Sequence, residues 1–186
     1  MASLKPTDLI DIAQGALTTQ DYTPKVWIDG VKIVDLALHS DDGGHFAEMV
    51  RFNDDGTFEQ FPDFTPKQQS YSLIVPGAVK AFHLHFNQED IWFVPPGQRV
   101  LIGLVDCRKD SPTRGIINRF VMGDGKAKLL HIPCGVAHGG ANIWKEDAMI
   151  FYYVTQKFDI KNPDERRLPY DLDGLVPKDF WNMTMG

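Results

Sequence analysis

The sequence predicts an all-β fold carrying one short helix, and three observations predict it. Short runs of β-branched, aromatic and aliphatic residues recur along the 186-residue chain, such as Ala148 to Val154. Turn-forming clusters punctuate them, among them Asp29-Gly30, Asn53-Asp54-Asp55-Gly56 and Gly123-Asp124-Gly125. Only Thr7 to Leu17 sets its apolar residues at helical spacing.

In order, Thr7 to Leu17 reads as a short helix on the outside of the sheet structure, with Thr7 as its N-cap. Val26 to Ile28 and Val31 to Leu38 flank Asp29-Gly30, which predicts a hairpin closed by a type I′ turn. Asp41 to Glu48 reads as turn then strand. The stretch from Phe58 to Pro66, with Phe58, Phe61 and Phe64, reads as an irregular segment lying over apolar surface. Strands follow at Gln68 to Val75, around His83, at Gln98 to Arg108, Asn118 to Met122, Lys128 to Ile132 and Ala148 to Val154. Beyond Lys157, Pro163, Pro169 and Pro177 mark a tail that wraps more than it folds. The expected organisation is one domain with a core of about 26–160 and a wrapping tail at 161–186.

Composition narrows the function. A net charge of -6 argues against a general nucleic-acid binder, whose surface must be basic, while leaving room for a small anionic ligand. Cys107 and Cys134 form neither a disulfide framework nor a zinc pattern, which fits a reducing cytoplasm. Neither a signal-peptide layout nor an apolar run long enough to span a bilayer is present, so no membrane partner is expected.

The most informative residues are His83 and His85, two apart in a β-prone run. On a strand they share one face, and Phe82 and Leu84 share the other. Gly77, His83, His85, Asp90 and Gly97 resemble the first cupin motif, with Asp90 in place of a glutamate. Pro133, Gly135, His138 and Asn142 resemble the second. The resemblance implies a cupin jelly-roll barrel, a double-stranded β-helix, whose lumen holds the site.

Over about residues 42–173 the chain also resembles the dTDP-4-dehydrorhamnose 3,5-epimerase family. The matching stretches are Gly77 to His85, Asp106-Cys107-Arg108 with Ser111-Pro112-Thr113-Arg114-Gly115, and Ile132 to Gly139. The family's late tyrosine falls on Tyr152 and its late aspartate on Asp171. This resemblance implies a nucleotide-linked keto sugar as substrate, a homodimer and no cofactor. It assigns His83 as the base that removes a proton beside a ketone, Asp171 as the acid that orients it, and Tyr152 as the proton donor on the other face. Lys80, Arg108 and His138 are the implied substrate contacts, although Arg108 reads equally well as a structural arginine tying the turn from Asp106 to Thr113.

Four family positions differ. Gly43 and Lys80 stand where the family has arginines, His85 where it has glutamine, and Asp90 where it has the lysine that helps hold the enolate oxygen. A bidentate fork thereby becomes a point charge, and a carboxylate faces a developing oxyanion. The same changes create a second reading, in which His83, His85, Asp90 and His138 hold a divalent transition metal in a cupin isomerase or dioxygenase, with Glu89 as a substitute for Asp90 if the strand bulges. A third reading is a non-catalytic sugar-binding cupin.

Overall fold

The computed structural model describes residues 3–19 and 22–183. Two five-stranded sheets face each other, and every pairing within them is antiparallel. The first sheet runs β1 (Lys32–Asp35), β9 (Lys128–Ile132), β6 (Asp90–Phe93), β11 (Ala148–Val154), β4 (Gln68–Ile74). The second runs β12 (Arg166–Arg167), β5 (Val79–Leu84), β10 (Val136–Ala141), β7 (Arg99–Asp106), β8 (Ile117–Gly123). A separate hairpin joins β2 (His39–Asp41) to β3 (Gly44–Phe46). Neighbours in space are rarely neighbours in sequence, as expected of the jelly roll.

The inner strands β6, β7 and β10 are buried on both faces, whereas the edge strand β4 alternates and leaves Tyr71 and Leu73 exposed. Along β11, Ala148, Ile150 and Tyr152 point into the lumen, where they meet Trp92, Leu130, Val100 and Ile102. Phe151 and Tyr153 point outward, beneath Phe58, Phe61 and Phe64. The irregular aromatic stretch is therefore the outer cover of the first sheet. On the second sheet Leu101, Val105 and Phe82 face outward and are covered by Val176, Phe180 and Trp181. Burying each of these aromatic side chains contributes about 2–3 kcal/mol by transfer alone, so the tail is held as firmly as a strand would be.

Two local expectations need correction. Thr7 to Leu17 is a 3-10 turn at Pro6–Asp8 followed by a single-turn helix, α1 (Asp11–Ala16), with Leu9 and Ile10 extended between them. Thr7 lies inside the first turn and caps nothing, and no residue of α1 is buried. Six residues that include Gly15 are too few for a helix to hold its own face against the barrel. Val26 to Ile28, in turn, does not join a sheet. The Asn118 side chain takes the place of a neighbouring strand, accepting from the Ile28 N–H at 3.0 Å and donating to the Val26 carbonyl at 2.8 Å. At the turn that follows, only Gly30 has positive φ, at 80°, and the Val31 N–H reaches the Ile28 carbonyl. That is the pattern of a type II turn, in which Asp29 keeps an ordinary backbone.

Gly103 on β7 is the slot into which the tail docks. A Cβ there would lie 2.5 Å from the Phe180 ring and 2.6 Å from that of Trp181. Gly103→Ala is expected to lift the tail and lower stability by about 1–3 kcal/mol, read from urea unfolding, with Trp fluorescence shifting to the red in the folded baseline.

Candidate active site

One end of the lumen is polar. The site there is a cavity of about 340 Å³ between the two sheets, lined by Ser72, Trp92, Ile150 and Tyr152 from one side and by Lys80, His83, His85 and His138 from the other. Gln88, Asp90, Glu165 and Arg167 complete its wall.

The pairing of β5 with β10 decides which side chains reach it. His138 lies opposite His83 and Gly140 opposite Lys80, so Ala81 and Phe82 together face the single residue Gly139. This is a β-bulge. In a regular strand Lys80 and His83, three positions apart, would point to opposite faces. The extra residue lets both line the cavity while Phe82 turns outward against Trp181, at 5.3 Å between ring centroids. Gly139 permits the close approach, since a Cβ there would come within 2.2 Å of the Ala81 Cβ.

His83 Nδ1 lies 3.1 Å from Glu165 Oε1, and the same carboxylate oxygen accepts from Arg167 Nη2 at 2.6 Å. Burial, followed by the Arg167 guanidinium, pushes His83 below the ordinary histidine range, against the opposing pull of Glu165. No hydrogen bond among the described residues reaches its Nε2. Tyr152 comes from the facing sheet, opposite Trp92 in register, and no hydrogen bond among the described residues reaches its hydroxyl.

The acid beside His83 is therefore not the Asp171 expected from the sequence. Asp171 lies in a different hollow, with Gly77, Ile143 and Trp181. The tail crosses β5 one turn of chain earlier than that expectation requires. Arg167 of β12 sits opposite His83 in register, which delivers the preceding acids to the cavity. Asp164 accepts N–H bonds from Phe86, Asn87 and Gln88, fixing the loop after β5, and Glu165 turns to His83. The run Asp164-Glu165-Arg166-Arg167 carries the signal that sequence reasoning passed over: alternating Glu165 and Arg167 in an otherwise loose tail mark a strand with one charged face.

His85, Asp90 and His138 form a second group, and their ligand atoms all lie within 4.8 Å of one another. The three residues are 6%, 4% and 2% exposed. His83 is not among them, which corrects the four-residue metal set expected from the sequence. Its ring stacks on that of His138 at 6.0 Å while its Nδ1 is taken by Glu165. Burial pushes His138 down to about 4, so its imidazole is neutral at pH 7. Glu89 points away from the group, to His131 Nε2 at 2.8 Å.

Comparisons with known proteins identify the family. The family model described as dTDP-4-dehydrorhamnose 3,5-epimerase matches residues 25–172. The spore coat polysaccharide biosynthesis protein SpsL of Bacillus subtilis is 43% identical over 77% of this chain and 91% of that protein. A probable low-salt glycan biosynthesis epimerase of Haloferax volcanii, Agl13, is 36% identical over 77% of this chain and 89% of its own. Among solved structures, the dTDP-4-dehydrorhamnose 3,5-epimerase of Sulfolobus tokodaii superposes with a TM-score of 0.65 at 27% identity, covering 80% of this chain and 81% of that one.

Arg108, one of the expected substrate contacts, is absent from the cavity wall because the turn holds it. Its Nε donates to Asp106 Oδ1 at 2.8 Å, and its Nη2 donates to Asp106 Oδ2 and to the Asp29 carbonyl. Ser111 and Thr113 donate to the same carboxylate. Burial alone would raise the Asp106 carboxyl, but the hydrogen bonds from Arg108, Ser111 and Thr113 outweigh it and hold the group well below the usual carboxylate range. A carboxyl depressed in the folded state contributes stability above the unfolded value of about 4 and loses it progressively as pH falls below that. Asp106→Asn is expected to cost about 2–4 kcal/mol at neutral pH and to flatten the acid limb of stability against pH, measured by denaturant unfolding across pH.

Proposed function

Because the chain belongs to the dTDP-4-dehydrorhamnose 3,5-epimerase family, we propose that it epimerises a nucleotide-linked 4-keto sugar with His83 as base, Glu165 as the group that orients it and Tyr152 as acid. The observation that carries this reading is the His83–Glu165 pair facing an unbonded Tyr152 hydroxyl from the opposite sheet.

A hydrogen on the carbon beside a ketone is acidic enough to remove because the resulting charge spreads onto oxygen as an enolate. His83 Nε2 takes that proton, and the Nδ1–H that faces Glu165 fixes the tautomer in which Nε2 carries the lone pair. The imidazolium so formed is steadied by Glu165, whose carboxylate Arg167 holds in place. Tyr152 donates its O–H proton to the same carbon from the other face, which inverts the centre, and the tyrosinate and imidazolium return to their starting states through solvent. The nucleotide diphosphate finds positive charge in Lys80 and Arg167 on the cavity wall. His138 supports the wall beneath His83.

The homodimer expected of the family would use the edge strand β4, where Tyr71, Leu73 and the following Val75 leave an exposed apolar row. Free Cys107 and Cys134 thiols favour a cytoplasmic setting, and among the described residues no helix is long and apolar enough to cross a membrane.

The test is solvent deuterium incorporation into a dTDP-linked 4-keto-6-deoxy sugar, followed by NMR. His83→Asn is expected to slow exchange by about 10²–10⁴-fold, and Glu165→Gln by more than about tenfold. Asp171→Asn should leave it unchanged. Loss in Asp171→Asn with full exchange in Glu165→Gln overturns the assignment, and no exchange in the parent protein leaves a sugar-binding cupin instead. Sedimentation velocity checks the dimer: Leu73→Lys should shift the population to monomer.

A further inference from the structure

We infer that His85, Asp90 and His138 bind one divalent first-row transition-metal ion at the inner end of the cavity, beside His83. Nothing in the epimerase reading requires this site, and its existence does not depend on that reading; only its contribution to the reaction does.

Two backbone carbonyls fix where the imidazole protons lie. His85 Nδ1 meets the Asp164 carbonyl, and His138 Nδ1 meets the Val136 carbonyl at 2.9 Å. A carbonyl oxygen only accepts, so each imidazole carries a hydrogen on Nδ1 and, in its neutral form, presents the Nε2 lone pair to the cavity. Backbone carbonyls fixing the far nitrogen are the usual support of a metal-binding histidine.

Both lone pairs face the same carboxylate. His85 Nε2 is 3.9 Å from Asp90 Oδ1, and His138 Nε2 is 3.7 Å from Asp90 Oδ2. Each atom of these pairs is an acceptor, so neither contact is a hydrogen bond with neutral imidazoles. The Gln88 amide relieves one of them, standing 3.3 Å from His85 Nε2 and donating to Asp90 Oδ1 at 2.9 Å, and Trp92 Nε1 donates to Asp90 Oδ2 at 3.0 Å. No donor among the described residues reaches His138 Nε2. Three acceptors converging in a buried pocket, with too few protons to join them, is an arrangement that a cation satisfies and a polar core does not.

The spacing suits an ion. Ligand atoms held about 2.1 Å from one metal lie roughly 3–4 Å apart, which covers both carboxylate contacts. The widest of the three separations, no more than 4.8 Å, closes with a shift of under about 1 Å, and the Gln88 amide gives way as it does. Two imidazoles and one carboxylate leave coordination positions open toward the cavity, the donor set of zinc, iron, cobalt or nickel sites that also receive a substrate.

His83 keeps its separate place. Its Nδ1 belongs to Glu165, and its ring lies flat against that of His138 at an interplanar angle of 13°. The site thus gains a cation without losing the base. It also removes the difficulty that Asp90 raises, since an ion of charge +2 on one carboxylate leaves net positive charge where the family has a lysine. A cation there would stabilise the enolate oxygen as the lysine does.

The experiment uses the full chain, purified without a histidine tag, stripped with chelator and titrated separately with Zn²⁺, Co²⁺, Ni²⁺, Mn²⁺ and, anaerobically, Fe²⁺. Bound metal is measured by plasma mass spectrometry, and the Co²⁺ form is also followed by visible absorption. About one equivalent is expected in the parent, with near-complete loss in Asp90→Asn and His138→Gln and full retention in His83→Asn and Gln88→Ala. Retention in Gln88→Ala matters because that variant disturbs the same polar group and folds or fails with it, yet removes no ligand. Absence of stoichiometric binding for every ion overturns the site, as does loss of the ion in His83→Asn. Deuterium exchange on stripped and reloaded protein then separates the two readings. Exchange that rises at least tenfold on loading supports a role in the reaction; equal exchange in both forms overturns that role and leaves the epimerase reading standing. Metal bound without exchange in either form sinks the epimerase reading while the site remains.

Discussion

The close approach of β5 to β10 is the contact on which the rest depends. Gly139 has no Cβ, so Ala81 can lie where a side chain would otherwise be, and the backbone gains one residue on β5 without losing the pairing on either side. Without that extra residue the strand's alternation would send Lys80 out of the lumen or draw Phe82 into it. Phe82 anchors the tail from outside, and His83 meets the tail's carboxylate from inside. One glycine therefore sets both the packing of the outer cover and the population of the cavity.

The second sheet is consequently less self-sufficient than the first. The first sheet is covered by Phe58, Phe61 and Phe64, which precede four of its five strands in the chain and are in place when β6, β9 and β11 come to lie beneath them. The second waits for residues near the C-terminus to bring Val176, Phe180 and Trp181 across Leu101 and Val105. The same returning segment contributes Asp164, Glu165 and Arg167, so chemistry and packing share one stretch of backbone.

Much of this was legible in the sequence, for identifiable reasons. Apolar runs and turn residues located the long strands, and the phenylalanine-rich stretch announced its cover by composition. His83, His138 and Tyr152 do line one cavity, the two histidines placed on strands by short motifs and Tyr152 by the family resemblance. Asp171 lies elsewhere: it was read from the resemblance of Pro169-Tyr170-Asp171 to a family segment, whereas the residue next to His83 is set by the register of β12, a strand only two residues long. Of the two readings open for Arg108, ligand contact or structural arginine, the geometry favours the second, since its guanidinium closes the turn from Asp106 to Thr113. The four-membered histidine and carboxylate set failed because spacing in sequence places side chains on a face but does not say which way each ring is tethered; that depends on Asp164, Val136 and Glu165. The Asp29-Gly30 turn and the first helix were overread, because a turn dipeptide and an apolar period carry no information about whether a partner surface lies alongside.

The use of the tail as a wall of the cavity has a consequence for biosynthesis. Every strand of the first sheet, and all but the shortest of the second, precedes residue 165 in the order of synthesis. Until then His83 lacks its carboxylate and the outer apolar face of the second sheet is bare. A nascent or truncated chain exposes an apolar surface prone to association. The segment that closes the cavity wall thus leads directly into the segment that covers the apolar face, so an incomplete chain lacks both together.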